Sequence, residues 1–122
     1  MNVILYITGT HSQDVQLSPT SPSALQNTEL TFTCSYNGNE PFGEFKWERN
    51  EGTVGTVLST TCQQLSINST LYSYTCPDDR NVTFTIRDVT LEEHMMAWQC
   101  KISVNSVLQL SNTVKVSVLG TF

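Results

Sequence analysis

The sequence predicts an all-β fold, an antiparallel sandwich of two sheets, and three observations carry that expectation. Apolar and polar residues alternate with a period of two in short segments from Val15 onward. Turn-forming residues bound each segment. Four cysteines, at 34, 62, 76 and 100, are spread through 122 residues with no C-x-x-C pair and no interleaved histidines. Zinc ligation is therefore disfavoured and disulfides are the expected use. Four free thiols in a cytosolic protein are the weaker alternative, because two sequons, Asn68-Ser69-Thr70 and Asn81-Val82-Thr83, accompany the cysteines and both features belong to an oxidising compartment.

Residues 1–13 stand apart. Val3-Ile4-Leu5-Tyr6-Ile7 is a short apolar run followed by Thr8-Gly9-Thr10-His11-Ser12. This N-terminal extension reads as a signal-like remnant, an extra strand or vector-derived residues. One domain at 14–119 and a tail at 120–122 account for the rest. Leu30, Phe32, Cys34 and Tyr36 share one face, with Thr31, Thr33 and Ser35 on the other. Phe45 and Trp47 alternate with Glu44, Lys46 and Glu48. Val82, Phe84 and Ile86 alternate with Thr83 and Thr85. Met96, Trp98, Cys100, Ile102 and Val104 alternate with Ala97, Gln99, Lys101 and Ser103, and Val114, Val116 and Val118 with Lys115 and Ser117. Such strands have one dry and one wet face. Turns are expected at Asn37 to Gly43, Asn50-Glu51-Gly52, Pro77 to Arg80 and Asn105-Ser106. Leu91 to Met95 has room for one helical turn.

Cys34 and Cys100, 66 positions apart, fall on inward faces, and Trp47, 13 after the first, is also inward. With the stretch Thr85-Ile86-Arg87-Asp88-Val89-Thr90 and the later Trp98-Gln99-Cys100, residues 14–119 resemble an immunoglobulin-superfamily domain, V-like or I-like. They are similar to invertebrate immune or adhesion receptor domains, molluscan ones among them. The resemblance implies an immunoglobulin-like antiparallel β-sandwich whose sheets are joined by a Cys34–Cys100 disulfide, with Trp47 and Trp98 in the core. It also implies strand B at Thr31–Tyr36, C at Glu44–Arg49, C′ at Gly55–Leu58 and D at Leu71–Cys76. Strands E, F and G follow at Val82–Arg87, Ala97–Val104 and within Val107–Val118.

The chain departs from the family in three places. Trp98 stands where a Tyr is usual, so the E–F corner is expected to be rebuilt. His94 replaces the usual Asp six before the second Cys, which removes the common Arg–Asp bridge. No Phe-Gly-x-Gly occurs in strand G, which argues against an antibody or T-cell receptor variable domain. Another disulfide-linked sandwich of different topology is the alternative fold. Cys62 and Cys76 then pair with each other by default. Their bridge clamps a polar insertion around Asn68 and presents the 63–75 loop, with Tyr72 and Tyr74, as a contact surface.

The formal net charge is −5 with only 6 Lys plus Arg, which argues against nucleic acid and anionic membrane surfaces. No apolar run approaches the ~20 residues of a membrane helix. Catalytic chemistry finds little support. His11 and His94 are the only histidines. Glu92-Glu93-His94 reads as a solvated turn, and Asp78-Asp79 as a turn that lacks the Gly-spaced acidic loop calcium prefers. The expectation is no enzyme, no metal and no cofactor. The function expected is that of an extracellular recognition module, secreted or on a cell-surface ectodomain, of an adhesion or immune-type receptor. It would bind a protein ligand or receptor, or another copy of itself, noncovalently. Its outward C–F–G face would offer Lys46, Glu48, Gln99, Lys101 and Lys115, beside the Asn37–Gly43 loop with Phe42 as apolar anchor; an ordinary wet sheet face is the plain reading. Asn68 and Asn81 are the candidate glycosylation sites. The alternatives are a carbohydrate-binding defence module of a secreted immune lectin, using Tyr72 and Tyr74 near Asp78 and Asp79, and a structural spacer.

Overall fold

The computed structural model describes residues 9–11 and 14–120. Thirteen strands follow in order: β1 (Gly9–His11), β2 (Val15–Ser18), β3 (Ser23–Leu25), β4 (Leu30–Tyr36), β5 (Phe42–Arg49), β6 (Gly52–Leu58) and β7 (Gln64–Leu65), then β8 (Tyr72–Asp78), β9 (Asn81–Ile86), β10 (Ala97–Val104), β11 (Val107–Leu110), β12 (Val114–Lys115) and β13 (Ser117–Leu119). A 3-10 turn, Leu91–Glu93, precedes β10. One sheet runs β1-β11-β10-β5-β6-β7, with β12 also on β10; the other runs β2-β4-β9-β8. The short β3 and β13 pair in parallel. That ribbon joins the continuation of one sheet to the continuation of the other.

Period-two alternation becomes burial. Phe32, Cys34 and Tyr36 of β4, with Val82, Phe84 and Ile86 of the neighbouring β9, face Phe45 and Trp47 of β5 and Trp98, Cys100 and Ile102 of β10 in one buried core. The Cys34–Cys100 disulfide crosses from β4 to β10, with the two Cα atoms 6.4 Å apart. Cys100 lies opposite Trp47 in the β10–β5 ladder, so the indole packs beside the crosslink. Trp47 stacks on Phe84 at 4.9 Å and Trp98 on Phe32 at 5.2 Å. Each pair joins opposite sheets and adds roughly 0.5–1.5 kcal/mol beyond its buried area. The chain is thus an antiparallel β-sandwich closed by two disulfides. The second, Cys62–Cys76, has a Cα separation of 5.9 Å and ties the loop after β6 to β8.

Two hairpins follow from turn chemistry. Asn50 and Glu51, between β5 and β6, have φ of 48° and 70°, and Asn105 and Ser106, between β10 and β11, have 51° and 63°. Two positive φ values suit a two-residue primed turn, whose twist matches the strands it joins. The last expected strand is broken into β11, β12 and β13. Ser111 Oγ accepts the Cys100 N–H at 2.9 Å. Asn112 accepts the Leu17 N–H at 2.8 Å and donates to the Leu17 carbonyl at 2.9 Å. These side chains take over backbone positions in the ladder, so the strand pauses there. Elsewhere the first strand after the 63–71 segment starts at Tyr72 and runs to Asp78, and β6 begins at Gly52, three residues before the expected start.

Candidate functional site

The loop between β4 and β5 and the β10–β11 turn meet at one end of the sandwich. Asn105 Nδ2 donates to Glu40 Oε2 across them. Arg80 Nη1 donates to the Gly38 carbonyl, and its guanidinium lies 5.3 Å above the Tyr36 ring. The Asn37 N–H donates to the Asp14 carbonyl at 2.8 Å. Between these ties lies an open depression of about 410 Å³ whose rim carries Asn37, Asn39, Glu40, Asn105, Val107 and Gln109. Gln109 Oε1 is buried and has no hydrogen-bond partner among the described residues. A buried amide oxygen without a donor carries a desolvation cost of about 1–3 kcal/mol. Amides, an acid and a short apolar patch make up this rim.

The adjoining β5–β10 face differs from its sequence expectation. Lys46 is exposed, with its ammonium 3.6 Å from Glu44. Glu48 is not an outward contact residue; it is only 8% exposed. Lys101 Nζ reaches its carboxylate at 2.7 Å, and Thr53 Oγ1 donates to it at 3.0 Å. Residues on the flanking strands thus cover and neutralise Glu48, and Lys101 is half-buried by the same contact. Gln99 is half-buried and donates to the Ser111 carbonyl at 2.8 Å. Phe42 is not a loop anchor. It lies in β5, half-buried, edge-on to Tyr36 at 4.7 Å and to Phe45 at 5.0 Å, where it caps the aromatic core. Lys115 is exposed.

The residues offered for sugar stacking are otherwise engaged. Tyr72 is 8% exposed and packs against Phe84 and Trp98. The Tyr74 hydroxyl, half-buried, donates to the Cys62 carbonyl at 3.2 Å. Asp78 serves its turn: it accepts the Arg80 N–H and both of its oxygens take bonds from Asn81 Nδ2. The Arg80 backbone bond first, then the Asn81 side chain, hold its carboxyl below the usual Asp range. Asn68 is exposed, whereas Asn81 is half-buried at the start of β9. His11 falls where no side chain is described.

Glu92-Glu93-His94 is more than a solvated turn. The 3-10 turn points Glu93 inward, 6% exposed. Its Oε1 accepts from Trp98 Nε1 at 3.0 Å and from Arg49 Nε at 2.8 Å. That hydrogen bond raises the Arg49 pKa, and burial, followed by the Glu93 charge, raises that of Tyr72. His94 Nδ1 accepts the Val118 N–H at 3.0 Å. The ion pair at the rebuilt corner therefore uses Glu93 and Arg49. An acid seven positions before Cys100 and five before Trp98 was the available signal for it. Among the described residues, no group of three His, Cys, Asp or Glu side chains is placed to hold a metal ion, and no helix is long and apolar enough to cross a membrane. Two disulfides place the chain in an oxidising, non-cytoplasmic compartment. No protein-family model and no curated protein matches this chain.

Proposed function

We propose that this chain is an immunoglobulin-like recognition module, secreted or part of a cell-surface ectodomain, that binds a protein partner noncovalently and carries out no catalysis. Support for the family reading comes from strand order. The sheets β2-β4-β9-β8 and β11-β10-β5-β6 correspond to A-B-E-D and G-F-C-C′, with β3 pairing in parallel with the last strand and a Trp beside the inter-sheet disulfide. The reading of an adhesion or immune-type receptor module rests on that likeness.

The observation that carries the site is the depression between the β4–β5 loop and the β10–β11 turn, rimmed by the exposed amides of Asn37, Asn39 and Asn105. Asn39 and Val107 are two of the exposed side chains on its rim. The test uses an oligomerised, fluorescent form of the chain as a probe on cells of its source, together with self-association measured by sedimentation. Asn39→Arg combined with Val107→Glu should weaken binding by about tenfold or more, the threshold of a contact worth ~1.4 kcal/mol. Undiminished binding by the folded double variant overturns the site. The amide-rich rim favours a second reading, a polar glycan ligand, which a glycan array separates from a protein partner.

A further inference from the structure

We infer that the two sequons are not equivalent: Asn68 carries an N-linked glycan and Asn81 stays unmodified, which leaves the Asn37–Gln109 end of the sandwich open. The inference rests on the proposed passage of the chain through a secretory compartment. Transfer makes a bond between an asparagine Nδ2 and the anomeric carbon of an oligosaccharide carried on a lipid pyrophosphate. The carbon–oxygen bond to the pyrophosphate breaks, the lipid pyrophosphate leaves with the electron pair, and the amide proton passes to a base of the transferase. The acceptor must therefore present Nδ2, and the folded product must tolerate a bulky polar substituent there.

Asn68 meets both conditions. It is exposed, and its Oδ1 accepts both the Thr70 N–H at 3.1 Å and the Thr70 hydroxyl at 2.6 Å. The sequon is thereby closed on its oxygen, and among the described residues no hydrogen bond uses the nitrogen that would be substituted. Asn81 is the reverse case. Its Nδ2 donates to both Asp78 oxygens, at 2.9 and 3.0 Å, and its Oδ1 takes the Ser35 hydroxyl. Substituting Nδ2 removes a hydrogen that serves a carboxylate, and the bulk would press on the β4–β9 ladder, where Ser35 pairs with Asn81.

The two sites also lie at opposite ends of β9. Asn81 begins that strand, one residue from the Arg80 that holds Gly38 and Tyr36. The Asn68 carbonyl accepts the Leu71 and Tyr72 N–H groups, and Tyr72 pairs with Ile86 at the far end. A glycan on Asn68 would cover the polar loop clamped by Cys62–Cys76, while one on Asn81 would crowd the depression.

The test expresses the full chain behind a cleavable secretory leader in animal cells. Both sites are mapped by mass spectrometry after enzymatic deglycosylation in heavy-oxygen water. Occupancy at Asn68 should exceed that at Asn81 by about tenfold or more, the factor carried by one charge-assisted hydrogen bond. Asn68→Gln and Thr70→Ala should each abolish the glycan mobility shift, and Asn81→Gln should keep it. Comparable occupancy at Asn81, or an empty Asn68 in material with both disulfides formed, overturns the inference and leaves the recognition reading standing. Asn68 occupied in a chain that binds no partner overturns the recognition reading alone.

Discussion

Trp98 Nε1 donates to Glu93 Oε1 at 3.0 Å inside the sandwich, so a buried indole and a buried carboxylate satisfy one another at the corner before β10. The same oxygen takes Arg49 Nε at 2.8 Å. Glu93→Ala removes both bonds and leaves an indole N–H and a guanidinium without their acceptor. Because Arg49 is partly exposed, the cost falls toward the lower part of the range for a broken buried pair, about 2–4 kcal/mol. Denaturant unfolding of the disulfide-intact protein measures it. The neighbouring exposed Glu92→Ala should stay within about 0.5 kcal/mol. Equal effects at the two positions would contradict the arrangement.

The two disulfides close loops of different length, with sequence separations of 66 and 14. In the chain-entropy account, replacing Cys34 and Cys100 together costs about 4 kcal/mol, and replacing Cys62 and Cys76 together about 3 kcal/mol. Core disruption around Trp47 adds to the first loss. Denaturation midpoints of the two double Cys→Ala variants check the order, and a reversed order would show that the 62–76 clamp does more than constrain the unfolded chain.

Phe42 should behave as core and Lys46 as surface, although the sequence suggested a shared contact role. Phe42→Ala loses edge-on contacts with Tyr36 and Phe45. Its cost should be about 2 kcal/mol, below the ~3–5 of a fully buried Phe. Lys46→Ala loses only a 3.6 Å exposed pair and should change stability by less than about 0.5 kcal/mol. Thermal unfolding of the two variants side by side decides this.

Two titrations follow from the geometry. Asp78 is stabilised as a carboxylate by the Arg80 N–H and Asn81. Its contribution to folding is present above the ordinary Asp range and lost as pH falls through the lowered value. Carbon NMR should place its midpoint below 3.8, the ordinary value, and Asn81→Ala should move it upward. Tyr72 is shifted the opposite way, first by burial and then by the Glu93 charge. Its neutral form is favoured in the folded state. That contribution is present below the ordinary phenol value of 10.0 and lost as pH rises through the raised one. Absorbance titration should show a late phenolate step that disappears in Tyr72→Phe. A Tyr72 step at the ordinary position would refute the burial argument.

The sequence by itself determined the layered β architecture, because alternation along a strand is a local pattern that assigns each side chain a face whatever its partner. Leu30 to Tyr36 and Ala97 to Val104 were legible for that reason; the Cys34–Cys100 bridge followed from the family resemblance, and Cys62–Cys76 was the pair left over. Turns at Asn50-Glu51-Gly52 and Asn105-Ser106 were legible from residue type, and their positive φ values came from the structure. Only the tertiary structure decided which polar side chains remain available. Glu48 became half of a covered ion pair because Lys101 and Thr53 flank it across two ladders, and Phe42 turned inward because Tyr36 ends beside it. Glu93 became a structural acceptor because a 3-10 turn rotates it beneath Trp98. The depression rimmed by Asn37, Asn39 and Asn105 emerged only when two loops distant in sequence met. A residue's face depends on its neighbours in the chain, whereas its partners depend on register between segments that the chain brings together only by folding.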